Sequence, residues 1–356
     1  MKTTNLSYDY LIVGGGIAGC LMAYKLRKLG FTVIVIAKDH IGSASTVSSG
    51  LINPITGLRF VKTWNYELLV SVLLKFYKEL EAHFGFQFIY HHDMIVCFDS
   101  VAEENNWQLR MADQNYQPYC KLMDFNHYSI YNLNANQQYG LIENIIRIDI
   151  PLICSVIQKE LNNEQVWRDE AFDHSKLEFF GDKIKYNNLI EAKQIIFCEG
   201  HKVNNNPLFD WLPIVKLKGE RLRINCETKY ETILHSKYTI IPNNNELWIG
   251  SNYSLTDQSY QITSEEAENQ MNFTTEWIDL KKNLIEHSFG FRPASRDRRP
   301  VLGRHPNHAN VLLINGLGTK GASLAPYCVE LLIQHLLEGV EIAKDLNTKR
   351  FVKNMT

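Results

Sequence analysis

The chain has 356 residues, 45% of them hydrophobic, enough for a large core and, by length, for about two domains. Its 37 Lys plus Arg nearly balance 39 Asp plus Glu, leaving a net charge of −2, which argues against a generic nucleic-acid binder. The 7 cysteines are scattered, odd in number and form no C-x-x-C pair, so they read as reduced thiols of a cytoplasmic protein and argue against a metal site.

The first apolar stretch, LIVGGGIAGCLMA (residues 11–23), lacks the basic flank of a secretory leader. No window reaches the roughly 20 apolar residues that span a bilayer. Tyr10–Val13 predicts a short buried parallel strand. Gly14-x-Gly16-x-x-Gly19 follows at once, then a helix from Cys20 to Leu29 carrying Leu21, Tyr24, Leu26 and Leu29, closed by Gly30. Val33–Ile36 predicts a second buried strand. In such a unit Gly14 permits the tight turn, Gly16 lets the backbone approach a pyrophosphate, and Gly19 lets helix and strand pack closely. The free N–H groups at the helix start, around Ile17 and Ala18, suit the anion. The acidic residue that usually holds the ribose is missing. After VIVI stand Ala37 and Lys38, so the ribose is left either to Asp39, two residues past Ala37, or to backbone and water.

GSASTVSSGLINPITG (residues 42–57) is a Ser/Gly-rich loop. Tyr66–Phe84 predicts an amphipathic helix, with Leu68, Val72, Phe76 and Leu80 at spacing four. IIFCEG (residues 195–200) reads as a buried strand ending at Gly200. RLRINC, KYTIIP and ELWIGSNY are strand-like, with a turn over Pro242–Glu246. In KLKGERLRI, Lys216 and Lys218 would share one strand face and Arg221 and Arg223 the other, a two-sided charge pattern expected of a sheet edge in preference to a tRNA track. FGFRPASRDRRPVLG (residues 289–303) holds Arg292, Arg296, Arg298 and Arg299 between stiffening Pro293 and Pro300. By itself it reads equally as a nucleic-acid grip, a clamp for an acidic ligand, or a solvated loop. NGLGTKGASLAP (residues 315–326) leads into an apolar helix over Leu324–Leu337.

These motifs, in this order, resemble the D-amino acid oxidase and glycine oxidase-like family of FAD-dependent oxidoreductases. IIFCEG is similar to its late strand-and-glycine motif, and FGFRPASRDRRPVLG to its G-x-R-P…D…P-x-x-G segment. NGLGTKGASLAP is similar to its closing glycine loop. VIAKDHIGSAS, GLINPITG, IGSNYSLTDQ and RPASRDRRPVLG look most like the FAD domain of the bifunctional tRNA 5-methylaminomethyl-2-thiouridine biosynthesis enzymes. That subgroup also tends to lack the ribose acid. Its methyltransferase half is not expected here, since the FAD pattern starts near residue 10.

The resemblance implies an α/β fold: a Rossmann-like FAD-binding domain from discontinuous segments, residues 1–60, 140–215 and 288–356. Residues 61–139 and 216–287 would form an α+β substrate domain with a mostly antiparallel sheet roofing the flavin. It implies FAD as cofactor, with Ser45, Ser48 and Ser49 donating to the pyrophosphate or ribityl chain and Gly50 allowing close approach to the ring system. Asn53 is a further candidate there. Gly316, Gly318, Thr319, Lys320 and Gly321 would lie along the flavin's pyrimidine edge, Lys320 supplying a cation for the reduced ring. Arg292 would clamp a substrate carboxylate through its planar fork. Asp297 reads as a structural partner for a neighbouring arginine. Arg296, Arg298 and Arg299 read as loop solvation or an RNA-facing lip. Tyr238 and Tyr253 lie near active-site aromatics of the family, although the tyrosine that pairs with substrate in glycine oxidase falls on Thr239. The expected reaction is hydride transfer from a C–N bond of an amine or N-substituted glycine to FAD. The carrier is either a small molecule or the carboxymethylaminomethyl group of a tRNA wobble uridine. A non-catalytic FAD-binding subunit and an NAD-binding protein are the other classes open.

Overall fold

The computed structural model describes residues 6–38, 41–125, 131–278 and 283–355. Continuous apolar runs need cover on both faces, and the first strand obeys that rule. β1 (Leu6–Val13) buries Tyr10 through Val13 between two parallel neighbours, β2 (Val33–Ala37) and the strand Ile190–Phe197. His308–Asn315 pairs parallel to the latter, so several strands of this eight-stranded sheet point their carboxyl ends the same way. α1 (Ile17–Lys28) starts directly at the end of β1 and packs beside the C-terminal helix Gly321–Glu338. The helix Tyr66–Phe84 lies against that same helix, where Tyr77 Oη donates to the Ala322 carbonyl at 2.7 Å. Leu11, Val13, Ile34, Ile36, Phe197 and Phe209 fill the opposite face.

The second sheet has ten strands and is almost wholly antiparallel. Its middle is Leu284–Ser295 beside Ile214–Asn225, then Glu246–Gly250 and Thr239–Asn243, joined by a turn at Asn244-Asn245 with Asn244 at φ 55°. A two-residue strand, Gly42–Ser43, pairs with Leu284–Ser295 and brings the serine loop under this sheet. No helix among the described residues is long and apolar enough to cross a membrane.

Several expectations change. In the Tyr66–Phe84 helix, Leu69, Leu73, Phe76, Tyr77 and Leu80 form the buried stripe, while Leu68 is 48% exposed and Val72 only half-buried. The true stripe mixes spacings of three and four, as 3.6 residues per turn requires. Leu29, expected on the buried face of α1, is exposed beyond the helix end. The strand carrying Lys216 to Arg223 is not an edge: it is paired on both sides from Arg221 onward, and ahead of that Lys218 bridges to Ser254 on the second side. Its charges are tolerated because carboxylates arrive from elsewhere. Lys218 meets Asp257 at 2.6 Å and Glu220 at 3.5 Å, and Arg223 meets Glu246 and Glu286 at 2.8 and 2.7 Å. The segment boundaries also move. Residues 140–148 and 288–295, expected in the dinucleotide domain, belong to strands of the second sheet, as do Gly42–Ser43 and Leu51–Ile52. Alternating strand patterns cannot reveal which of two adjacent sheets a strand joins.

Candidate active site

The carboxyl ends of the parallel strands open into one cavity of about 620 Å³, within the range of about 300–1,000 Å³ usual for cofactor and ligand sites. At one end the turn after β1 is built from glycine because nothing else fits. Gly14 has φ +110°, and a Cβ there would lie 2.3 Å from the Cys198 carbonyl oxygen. A Cβ on Gly15 would lie 2.5 Å from the Trp167 indole. Gly16 begins α1 with no side-chain cap, and no acidic residue follows in the first turn. Ile17 N–H meets Ser45 Oγ at 3.0 Å, so the serine loop is pinned against the helix start. A bare, positively polarised helix N-terminus of this kind takes an anion such as a pyrophosphate.

Gly16, Ile17 and Ala18 line this end, as do Ala37, Lys38 and Gly200. Asp39 lies outside the described residues. Glu199 is the sole carboxylate lining the cavity among the described residues, held by His174 at 2.9 Å and Asn206 at 2.7 Å. Further along, Ser45, Ser48, Ser49 and Asn53 face Gly318, Thr319, Lys320 and Gly321 around the same space. Gly318 N–H donates to the Pro293 carbonyl at 2.8 Å, which ties the closing glycine loop to the arginine segment. Lys320 Nζ donates to Thr63 Oγ1 at 3.2 Å. Burial, reinforced by Arg299 and Arg298, holds its amine below the usual lysine range.

Three expected cofactor contacts do not line the cavity. Gly19 sits behind it, and a Cβ there would lie 1.9 Å from the Gly14 carbonyl oxygen, so its work is helix–strand packing. Gly50, at φ +69°, is glycine because a Cβ would lie 1.7 Å from the Ile148 carbonyl oxygen. Gly316 turns at φ +70° against Val301, beside the lining residues Asn315 and Leu317.

The far end is the inner face of the second sheet. Arg292 projects into it over Gly219, whose own Cβ would lie 2.2 Å from the guanidinium. That guanidinium donates to Ser251 Oγ, reaches the Asn252 and Lys218 carbonyls only at 3.4 and 3.5 Å, and lies 4.7 Å from the centre of the Tyr253 ring. No carboxylate pairs with it among the described residues. Burial lowers its pKa below the ordinary arginine value, with Tyr253 opposing. Gly250, Gly290, Trp248, Arg221, His235 and Thr239 share this wall. Thr239 Oγ1 and His235 Nδ1 are 2.8 Å apart, and burial holds that imidazole below its usual pKa. Tyr238 faces away into the core against Phe273, while Tyr253 is exposed and stacks on Arg292. Asp297 pairs with Arg350, 53 residues on, at 2.8 Å, and not with a neighbouring arginine side chain. Arg299 lies over Trp64 at 4.8 Å, and Arg296 and Arg298 are exposed.

The FAD dependent oxidoreductase (DAO) family pattern matches residues 9–127 and 158–335. The chain belongs to that family. It is 23% identical over 316 residues to the tRNA 5-methylaminomethyl-2-thiouridine biosynthesis bifunctional protein MnmC of Legionella pneumophila (strain Corby), covering 83% of this chain but 46% of that protein. The chain thus spans about half the length of such bifunctional relatives. It is 22% identical to a glycine oxidase of Bacillus licheniformis, with 93% of each covered. Glycine oxidase from Geobacillus kaustophilus shares the fold at a TM-score of 0.80 and 17% identity, covering 95% of this chain and 96% of that one. Iminodiacetate oxidase (IdaA) from Chelativorans sp. BNC1 does so at 0.75 and 18%, covering 95% and 98%. Membership of this family makes the chain an FAD-dependent oxidoreductase. The glycine cradle, the uncapped helix start and the cavity they open into fit FAD.

Sequence reasoning missed Gly15, Gly219, Gly250 and Gly290. A glycine inside a strand pattern marks a close approach, and Gly219 in KLKGERL carried that signal.

Proposed function

We propose that the protein oxidises an N-substituted glycine at its CH2–N bond. The observation that carries this reading is Arg292, a half-buried guanidinium in the cavity wall with weak carbonyl contacts and no carboxylate partner among the described residues. The chemistry that bound FAD would supply is acceptance of a hydride from the carbon between nitrogen and carboxylate. The nitrogen loses a proton, and water adds to the imine to release the primary amine and glyoxylate. The chain's own work is orientation and electrostatics. Arg292 offers two parallel N–H groups to the carboxylate. Lys320 and the start of the Gly321–Glu338 helix supply positive potential.

The carboxymethylaminomethyl group of a tRNA wobble uridine is one such N-substituted glycine. The similarity to MnmC over 83% of the chain and the exposed Arg296 and Arg298 support it. A free amino acid or sarcosine-type amine is supported by the end-to-end match to glycine oxidase. The buried cysteines, none of them in a disulfide among the described residues, support a reducing, cytoplasmic compartment. Anaerobic reduction of the bound flavin tests the reading. Bleaching by sarcosine points to the small molecule. Bleaching by modified tRNA, weakened by salt, points to RNA. Arg292→Ala is expected to raise KM for either substrate far more than it lowers flavin content, and an unchanged KM refutes the assignment.

A further inference from the structure

The wall that carries Arg292 holds a second guanidinium, one that the reaction above does not use. Arg221 lies on the strand beside that of Arg292, on the same face as Gly219, because residues two apart on a strand point the same way. It lines the cavity and is 7% exposed. Its head lies 4.5 Å from the centre of the Trp248 ring. Its Nε and Nη1 are buried and make no hydrogen bond. Of the nearby carboxylates, Glu246 and Glu286 are already bound by Arg223, at 2.8 and 2.7 Å, and Asp149 accepts from Leu152 N–H at 3.1 Å. Arg147, 1% exposed, also lies over Trp248, at 5.4 Å, and its guanidinium donates to the neutral Asn243 side chain at 2.9 Å. Two cations are therefore buried at one ring with no carboxylate hydrogen-bonded to either among the described residues. A buried charge without a partner is costly. A cavity that keeps one is built for an anion that arrives with the ligand.

We propose that Arg221 binds a second oxyanion of the substrate, on the arm of the amine that points away from Arg292. This rests on the reading of Arg292 given above. Geometry sets the reach. Arg292 pairs with Leu217 but folds its head over Gly219, two residues from Arg221. At a rise of about 3.3 Å per residue, that places the Arg292 head about 7 Å along the strand from the Arg221 backbone. The Arg221 head lies further off, over Trp248. An N-substituted glycine with a short acidic second arm spans such a gap. A neutral alkyl arm leaves Arg221 buried and unpaired.

The test uses three N-substituted glycines with the same reacting half: N-propylglycine, N-(2-carboxyethyl)glycine and N-(phosphonomethyl)glycine. The Kd of each for flavin-loaded enzyme is read from anaerobic flavin reduction. The acidic arms are expected to bind about 10- to 100-fold more tightly than the propyl arm, the range of a charge-assisted hydrogen bond. Arg221→Gln is expected to collapse that ratio and Arg221→Lys to preserve much of it. A phosphonate preferred over the carboxylate identifies a phosphate-bearing arm, and the reverse identifies a diacid. Equal binding of all three by the wild type, or an unchanged ratio in Arg221→Gln, overturns the proposal. Glutarate binding, followed by the flavin difference spectrum, decides the case without turnover. Weakening by Arg221→Gln supports the site, and indifference sinks it. If no glycine derivative reduces the flavin while glutarate binding still depends on Arg221, the reaction assigned above fails and the anion site stands.

Discussion

Gly219→Ala isolates the positioning of Arg292 from its chemistry. The new Cβ would lie 2.2 Å from Nη2, 2.4 Å from Nη1 and 2.6 Å from Cζ of Arg292. Carbon and nitrogen settle near roughly 3.5 Å, so the guanidinium must retreat by more than about 1 Å. The group that moves is the far end of a flexible side chain, and the Gly219 backbone has no positive φ, so the fold does not have to yield. Alanine in a strand even gains about 0.5–1 kcal/mol over glycine in chain entropy. A displacement of about 1 Å in a substrate-orienting group costs on the order of 100-fold in turnover efficiency. The expected result is a Tm and flavin content at or above wild type, with kcat/KM for an N-substituted glycine reduced about 10- to 100-fold. Measured in an Arg292→Ala background, Gly219→Ala should add almost nothing, since the pair acts as one unit. Full additivity of the two substitutions, or wild-type kinetics in Gly219→Ala, refutes the positioning argument.

Gly19→Ala drives a methyl to 1.9 Å from the Gly14 carbonyl oxygen, a backbone clash that no rotamer relieves. It should cost about 1–3 kcal/mol or more of stability and yield protein poor in flavin, both read from a melting curve and the absorbance ratio. Lys320→Met removes the cation beside the glycine loop and should shift the flavin midpoint potential negative by roughly 20–60 mV in a dye-coupled titration. An unmoved potential removes Lys320 from the redox argument. Asp257 carries a carboxyl pulled down to about 2, chiefly by its hydrogen bond to Lys218. A depressed carboxyl contributes stability that is complete above the free value and lost as pH falls from about 4 toward 2. Asp257→Asn should therefore flatten the acid limb of the Tm-versus-pH curve in that window and leave its shape near neutrality unchanged.

The nucleotide end of the molecule was legible because its chemistry is local. Strand, glycine turn, helix and second strand occupy one continuous stretch, although the turn glycines are also hemmed in by Cys198 and Trp167 from far along the chain. The substrate end was legible only where a motif named it. KLKGERLRI reads as a solvated edge because its carboxylate partners, Asp257, Glu246 and Glu286, lie 23 to 63 residues away. No periodicity reports a partner at that separation. Asp297 illustrates the same limit: its local context offers three arginines, and the fold delivers a fourth, Arg350, from the C-terminal segment.

The charge pattern of the central strand also explains why one strand can hold both scaffold and ligand cations. Lys218 and Arg223 are neutralised within the protein by ion pairs shorter than 3 Å. Arg221, between them, faces the cavity with no such partner, and Arg292 does the same from the next strand. A paired lysine or arginine fixes the sheet and its loops, and substituting it should register in stability. An unpaired one in a cavity wall is held at a cost that ligand binding offsets, so substituting it should register in affinity, with Tm unchanged or raised. Sorting the four cations by that criterion places Arg221 with Arg292. Charge-neutralising substitutions at Lys218 and Arg223 should then lower Tm while leaving substrate preference intact, the opposite of the result expected at Arg221. A loss of Tm at Arg221 equal to that at Arg223 would mean that the guanidinium is a structural prop for Trp248, and the distinction between the two classes of arginine on this strand would fall.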